Sequence, residues 1–456
     1  MKQWLVRRGL LATVPAVALV LAFGACSSEP SGSTSAPGSA EVDAPVALAK
    51  DDELATTPAA AQRFRSLAKQ FQHLPPAFEE PVFQPPPGFL PPKASARPLL
   101  DAQPVLGKGD AERFVRQGSR LRAEIAAEAK QKLVRAATVD VPLKSEGRIR
   151  VQPEGARLGV EFTTEGAKAG VDVEVAEGNA TFPGAGPHGG DIVLRVTAEG
   201  VEDFVVLREK PTQPRVDYSV NVGEVAGLRL YDDTLEFLDK AGDPQLHVKP
   251  PRVVDADGVK HAAKLTLLGC NADTSGEAPW VRAVTAPGAQ DCTLRVSWDD
   301  RRVIYPAIVD PVWATTGSLA TARYRNAAIK LSTGIVLTCG GIGDLGVAIA
   351  SCEQFNPASN GGIGAWAAAT SMNTARNDFT LVSLAPASAT NVLAVGGTGI
   401  STSERFNGTN AWTASTGDFS AGYFYPQAPA ATSDGNFVVL IDTSGPPYRF
   451  NNSTNA

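Results

Sequence analysis

Metal and redox chemistry have little to work with in this chain. Its 456 residues include four histidines, two methionines and five cysteines. His73, His188, His247 and His261 stand apart, none with a second ligand at metal spacing, so each reads as a satisfied or exposed imidazole. The patterns GxSxG, HExxH, GxxxxGK(S/T) and CxxC are all missing, which removes the familiar hydrolase, metalloprotease, nucleotide and redox signatures. No catalytic residue, no metal and no cofactor are expected. Charged residues make up only 20% and the net charge is −6, so a nucleic-acid-binding surface is not expected. Long apolar runs are missing too. Residues 10–23 are the longest, too short to span a bilayer comfortably.

What that run does is visible from its flanks. Lys2, Arg7 and Arg8 precede it, and Phe23-Gly24-Ala25-Cys26 ends it, which reads as an export signal over residues 1–25. Small residues before a cysteine resemble a bacterial lipobox, with Phe23 where leucine is commoner. The resemblance implies that Cys26 carries a lipid and begins the mature protein. Ser27 is similar to an outer-membrane sorting pattern of Gram-negative lipoproteins. The expected location is therefore the cell envelope, at the outer membrane or cell surface, held through the N-terminal lipid. Residues 26–57, rich in Ser, Pro, Gly and Ala, read as a flexible tether.

Setting Cys26 aside leaves Cys270, Cys292, Cys339 and Cys352. An even number in an exported chain suggests disulfides. Proximity favours Cys270–Cys292 and Cys339–Cys352 among the three pairings. A zinc site and free buried thiols are the alternatives.

Glycine (43) and proline (34) are plentiful and favour turns over long helices. Residues 58–72 predict a short helix with Phe64, Leu67 and Phe71 on one face, followed by a Pro-rich spacer to 109. Residues 110–136 carry Phe114, Leu121 and Ile125 at helical spacing, interrupted by Gly118. Their basic groups outnumber the acids, which reads as a solvated face. From about Ser145 short alternating segments recur between turn residues. Leu294, Val296 and Trp298 share a face, and Asp299-Asp300-Arg301-Arg302 predicts a hairpin turn into Val303-Ile304-Tyr305. Asp255-Ala256-Asp257-Gly258 reads as a turn. It holds only part of a calcium loop, since Thr266 stands where the twelfth-position Glu belongs. The stretch 110–312 is expected to be a β-sandwich-like domain.

The strongest signal is internal similarity. One unit runs Trp313, Arg323, Gly340-Gly341 and Glu353-Gln354-Phe355. The next runs Trp366, Arg376, Gly396-Gly397 and Glu404-Arg405-Phe406, and a third starts at Trp412. The tryptophans are 53 and 46 apart, the arginines 53 and the glycine pairs 56. An apolar strand before Gly-Gly, then Glu-x-Phe and Trp at a period near 50 resembles the kelch repeat. With the lipobox and the upstream Tyr305-Pro306-Ala307-Ile308-Val309-Asp310-Pro311 stretch, residues 110–456 are similar to bacterial kelch-repeat lipoproteins.

That resemblance implies a mostly β protein: a sandwich-like middle domain, then propeller blades over 313–456, with short helices near the N-terminus. Each repeat would be a four-stranded blade. The glycine pair would let blades crowd, the tryptophan would pack between them, and the arginine would bond carbonyls or the repeat's glutamate. The third unit departs from the pattern: Asp442-Thr443 replaces Gly-Gly, and Tyr448-Arg449-Phe450 replaces Glu-x-Phe. About three blades leave open edges. The sequence then reads as a truncated version of a longer protein, with self-association through those edges as the other route to closure. The implied function is a surface scaffold that binds a protein or glycan, with Tyr423, Phe424 and Tyr425 as candidate contacts or strand core. A polysaccharide-active enzyme with its site in missing blades, or a non-functional remnant, are the alternatives.

Overall fold

The computed structural model describes residues 52–71, 105–131, 133–384 and 391–415, and the backbone of three strands between 430 and 451. Strand accounts for 44% and helix for 10%, so the chain is mostly β, in several sheets of which none closes into a barrel. Cys26, the export signal, most of the tether, most of the Pro-rich spacer and Tyr423, Phe424 and Tyr425 lie outside the described residues. Among the described residues no helix is long and apolar enough to cross a membrane.

Helix α1 (Pro58–Gln70) forms where expected. Thr57 Oγ1 accepts from the Ala60 amide at 3.1 Å and Pro58 fills the first turn. Phe64, Leu67 and, past its end, Phe71 pack on Val193, Phe204, Val206 and Ile308. The helical reading of 110–136 is overturned. β1 (Ala111–Gln117) and β2 (Arg120–Ile125) form an antiparallel hairpin, and only α2 (Ala127–Gln131) is helical. The hairpin wins because Gly118 turns the chain at φ +63°, where a side chain would be strained. Phe114 and Leu121 then share a buried face as well as a helix would have placed them.

The meander continues through β3 (Ala137–Pro142), β4 (Ile149–Pro153) and β5 (Val160–Thr164). A second meander holds β6 (Glu174–Ala176), β7 (Asn179–Phe182), β8 (Ile192–Thr197) and β9 (Gly200–Leu207). β10 (Arg215–Asn221) pairs with β5. A third meander holds β11 (Gly227–Tyr231), β12 (Thr234–Leu238) and β13 (Pro244–Val248). β14 (Arg252–Val254), β15 (Lys260–Leu268) and β16 (Asp291–Trp298) follow. β15 joins two layers, since its start pairs with β14 and the rest with β16. β17 (Ala307–Asp310) lies against the end of β9, and β18 (Val312–Thr315) against its start. One apolar core runs beneath these strands, from Phe114 to Trp313.

The Asp299–Arg302 turn does not make a hairpin. β16 already has β10 on one side and β15 on the other, so no edge is left for a returning strand. The chain instead crosses to β14 and β9. Leu294, Val296 and Trp298 do share the buried face of β16. Asp255-Ala256-Asp257-Gly258 is a turn: Asp255 Oδ1 accepts the Asp257 and Val259 amides at 3.0 and 2.9 Å, and His261 Nε2 lies 2.8 Å from Oδ2.

Beyond β18 the architecture changes. β19 (Arg323–Tyr324) leads into a four-stranded antiparallel sheet of β20 (Ala327–Lys330), β21 (Val336–Cys339), β23 (Cys352–Asn356) and β24 (Ala365–Ala369). β22 (Ile342–Gly343) pairs with β19, and a short turn, α3 (Ser359–Gly362), precedes β24. The second sheet has β25 (Thr380–Ser383), β26 (Val392–Val395), β27 (Ser403–Phe406) and β28 (Trp412–Ala414). A third has β29 (Ala430–Ala431), β30 (Phe437–Leu440) and β31 (Tyr448–Asn451).

Candidate functional site

The two four-stranded sheets are register-identical copies. In the first, Lys330 faces Val336, Val336 faces Phe355 and Phe355 faces Trp366. In the second, Ser383, Val392, Phe406 and Trp412 stand in the same order. Each glutamate sits two pairs further along: Glu353 opposite Thr338, and Glu404 opposite Ala394.

Those glutamates anchor each sheet to the segment that enters it. Glu353 accepts the Ala320 and Thr321 amides at 2.7 and 3.1 Å and pairs with Arg323 Nη2 at 3.0 Å. Arg323 also donates to the Gly340 and Ser351 carbonyls. Glu404 accepts the Asn373 and Thr374 amides at 2.7 and 3.0 Å and pairs with Arg376 Nη2 at 3.1 Å. Arg376 donates to the Gly396 and Thr402 carbonyls. Both pairs are closed to water. Burial pushes the Glu353 carboxyl up, opposed by Arg323, and pushes the Arg376 guanidinium down, opposed by Glu404.

The glycine pair sits where the sheets meet. Gly340 and Gly341 have φ +63° and +93°, and the Gly341 amide donates to the Arg376 carbonyl at 2.7 Å. A Cβ on Gly340 would lie 2.5 Å from that same oxygen. Gly396 and Gly397 repeat the positive φ, at +68° and +130°. Trp412 stacks on Phe406 at 5.0 Å and donates Nε1 to the Thr370 carbonyl of the first repeat. Trp366 stands against Phe355 at 5.2 Å.

Trp313 does not belong to this set. It lies in β18, between β9 and β13, and stacks on Phe162 at 3.9 Å with the rings 6° from parallel. Its spacing from Trp366 equals the repeat period, but its side chain serves the first core rather than a repeat sheet. Cys270–Cys292 and Cys339–Cys352 are both disulfides. The second ties directly opposed residues of β21 and β23.

Sequence reading missed the junction. Arg229 Nη1 and Glu236 Oε2 meet at 2.8 Å, fully buried, from opposed positions on β11 and β12. Arg229 Nη2 donates to the Ala368 carbonyl at 2.8 Å, and Glu236 Oε1 accepts the Ala368 amide at 2.7 Å. Two side chains thus bind the backbone of β24 as a neighbouring strand would, and the Thr316 carbonyl accepts the Trp366 amide at 2.9 Å beside them. This covers an edge that would otherwise be left bare. A signal existed: one charge inside Leu228-Arg229-Leu230 and the opposite charge inside Leu235-Glu236-Phe237.

It also missed a buried acid cluster under β9. Asp203 is fully buried and neither of its carboxyl oxygens is hydrogen-bonded. Burial pushes its pKa up to about 7. The Tyr218 hydroxyl, close by but not in hydrogen-bonding geometry, partly offsets this, and Asp310 adds to it. Asp310 is pushed up to about 6 by burial and Glu202, against the pull of Arg252. The same burial drives Tyr218 well above its ordinary value.

A cleft of about 730 Å³ lies beside the β1–β2 hairpin, lined by Arg116, Arg120, Lys144 and Arg148 among others. Three of those four are held by acids: Arg120 by Glu161, Lys144 by Asp172 and Arg148 by Asp291, at 2.7 to 2.8 Å. Among the described residues no group of three His, Cys, Asp or Glu side chains could hold a metal. The arrangement suits holding sheets together. Compared with known proteins, the chain matches no family model and no curated relative.

Proposed function

We propose that this chain is an envelope lipoprotein of kelch-repeat type. Its repeat sheets would serve as propeller blades that bind a protein or glycan, and its first β domain as a rigid stalk. The observation that carries this reading is the duplicated anchor: Arg323–Glu353 and Arg376–Glu404 make the same bonds in register-identical sheets. A repeat that spends a buried ion pair to hold its entering strand is built for stacking with copies of itself. The grip of Arg229 and Glu236 on Ala368 supports a stalk that moves with the first blade. Glu353 and Glu404 are occupied structurally, which supports binding over hydrolysis. Anchoring through Cys26 rests on the sequence pattern.

The test is metabolic labelling with an alkyne-tagged fatty acid in producing cells, for the natural chain and Cys26→Ser, with protease accessibility on intact cells. Label and surface exposure should both disappear in the variant. An unlabelled natural chain would refute the anchor. A labelled chain that protease cannot reach would refute the surface role.

A further inference from the structure

The chain contains two Asp–Pro bonds, Asp243–Pro244 and Asp310–Pro311. An aspartate before proline can attack its own peptide bond. Its carboxyl closes a five-membered ring on the carbonyl carbon, and the proline nitrogen has no N–H to tie it into a ladder. The two bonds differ in their surroundings. Asp243 has both oxygens occupied, Oδ1 by the Ser359 hydroxyl at 2.7 Å and Oδ2 by the Asn360 amide at 3.0 Å. Asp310 is buried, and among the described residues its Oδ1 has no hydrogen-bond partner. Its Oδ2 lies 3.6 Å from Arg252 Nε, too far for a hydrogen bond. Four charged groups act on it: Glu202 from β9, Arg252 from β14, Arg195 from β8 and Asp344 from the loop after β22. Burial, then Glu202, lifts the Asp310 pKa to about 6, so near neutral pH a fraction of the carboxyl keeps its proton. The bond also stands at a boundary, because Asp310 ends β17, Val312 begins β18 and the repeat sheets follow.

We infer that Asp310 cuts its own peptide bond to Pro311, dividing the chain between the first β domain and the repeat sheets. Oδ1 adds to the Asp310 carbonyl carbon. The C–N bond breaks and its electron pair stays on the Pro311 nitrogen, which takes the carboxyl proton and leaves as a secondary amine. A cyclic anhydride remains on Asp310. Water opens it to a free carboxyl terminus, so one water is consumed overall. The unpartnered oxygen is the nucleophile and the retained proton serves the leaving group. Asp243 offers neither while its oxygens accept two hydrogen bonds. The Asp310 side chain is 10% exposed, which lets water reach the anhydride. The two pieces stay together after the cut, because β18 pairs with β9 and β13, and Arg229 and Glu236 hold Ala368.

The experiment incubates the detergent-extracted full chain from pH 5 to pH 8 and reads the denatured products by mass and N-terminal sequence, with hydroxylamine added to a parallel sample at pH 7. A fragment that begins at Pro311 is expected. It should appear at a first-order rate independent of protein concentration and slow at least tenfold from pH 5 to pH 8. Hydroxylamine should convert the Asp310 end of the other fragment to a hydroxamate, the signature of an anhydride. Asp310→Ala should abolish the cut. If that variant fails to fold, the natural chain in guanidinium chloride repeats the test: unfolding makes the Asp310 carboxyl an ordinary one, and cleavage at pH 6 should slow at least tenfold. A chain that stays intact throughout would overturn the inference. So would equal cutting at Asp243–Pro244, a cut that survives Asp310→Ala, a rate indifferent to unfolding, or a hydrolysed end without hydroxamate.

Discussion

Arg376 and Glu404 meet inside the second repeat sheet, Nη2 to Oε1 at 3.1 Å, with both side chains shut off from water. The carboxylate spends its remaining capacity on the Asn373 and Thr374 amides, and the guanidinium on the Gly396 and Thr402 carbonyls. Nearly every polar atom of the pair is therefore satisfied, and that matters more than the pair's own Coulomb energy. A buried pair is weak evidence for net stability, but removing one member leaves an uncompensated charge and orphaned backbone groups. Arg376→Ala should cost about 3 to 5 kcal/mol in chemical denaturation. Exchanging the two residues should not rescue it, because the backbone partners are fixed in kind. A loss under about 1 kcal/mol would refute the anchor role.

The repeat was legible because its chemistry recurs at a fixed spacing. Arg323, Glu353, Arg376 and Glu404 were expected to bond as they do, and the glycine pairs do take up the crowded turns. Period alone cannot tell a repeat from its boundary: Trp313 fits the spacing, but its neighbours are Phe162 and Tyr218. In the β1–β2 hairpin Phe114 and Leu121 fit either a helical or a strand period, and only Gly118 tells the two apart. Asp203 left no trace in the sequence, since an acid in Glu202-Asp203-Phe204 looks like an outward residue until its neighbours are known.

The grip on Ala368 makes a local prediction. Glu236→Ala removes the acceptor of the Ala368 amide and strands Arg229 in the interior. Hydrogen exchange across β24 should rise at Ala368 by at least tenfold, with β26 and β27 in the second sheet unchanged. Uniform acceleration over both sheets would mean that the change unfolds the repeats as a whole, and the junction would not be a separate clasp.

The disulfide between Cys339 and Cys352 has a built-in control. The second sheet carries Val395 and Ser403 at the corresponding opposed positions and forms the same four strands. Sheet geometry therefore does not need the bond. Its contribution should be the restriction of the unfolded chain, about 3 kcal/mol for a loop of this length. The double variant Cys339→Val with Cys352→Ser should fold with unchanged near-ultraviolet circular dichroism and lose about that amount. Loss of folding would show instead that the first sheet depends on the cross-link.

Asp203 supplies the clearest dependence on pH. Its pKa rises from 3.8 to about 7 on folding, chiefly through burial. Below 3.8 the carboxyl is protonated in both states and contributes nothing. Between 3.8 and about 7 the unfolded chain ionises while the folded chain keeps its proton, so stability falls as pH rises. Above about 7 both are ionised and the penalty is complete, about 4 kcal/mol for a shift of this size. Asp203→Asn keeps the shape and cannot ionise. Relative to the natural chain it should gain stability steadily from pH 4 to pH 7 and hold that gain at pH 8. Unfolding free energies of both proteins across that range measure the difference. A difference that stays flat with pH would mean that water or a rearranged Tyr218 hydroxyl already solvates the carboxylate. The core under β9 would then be more open than its packing implies.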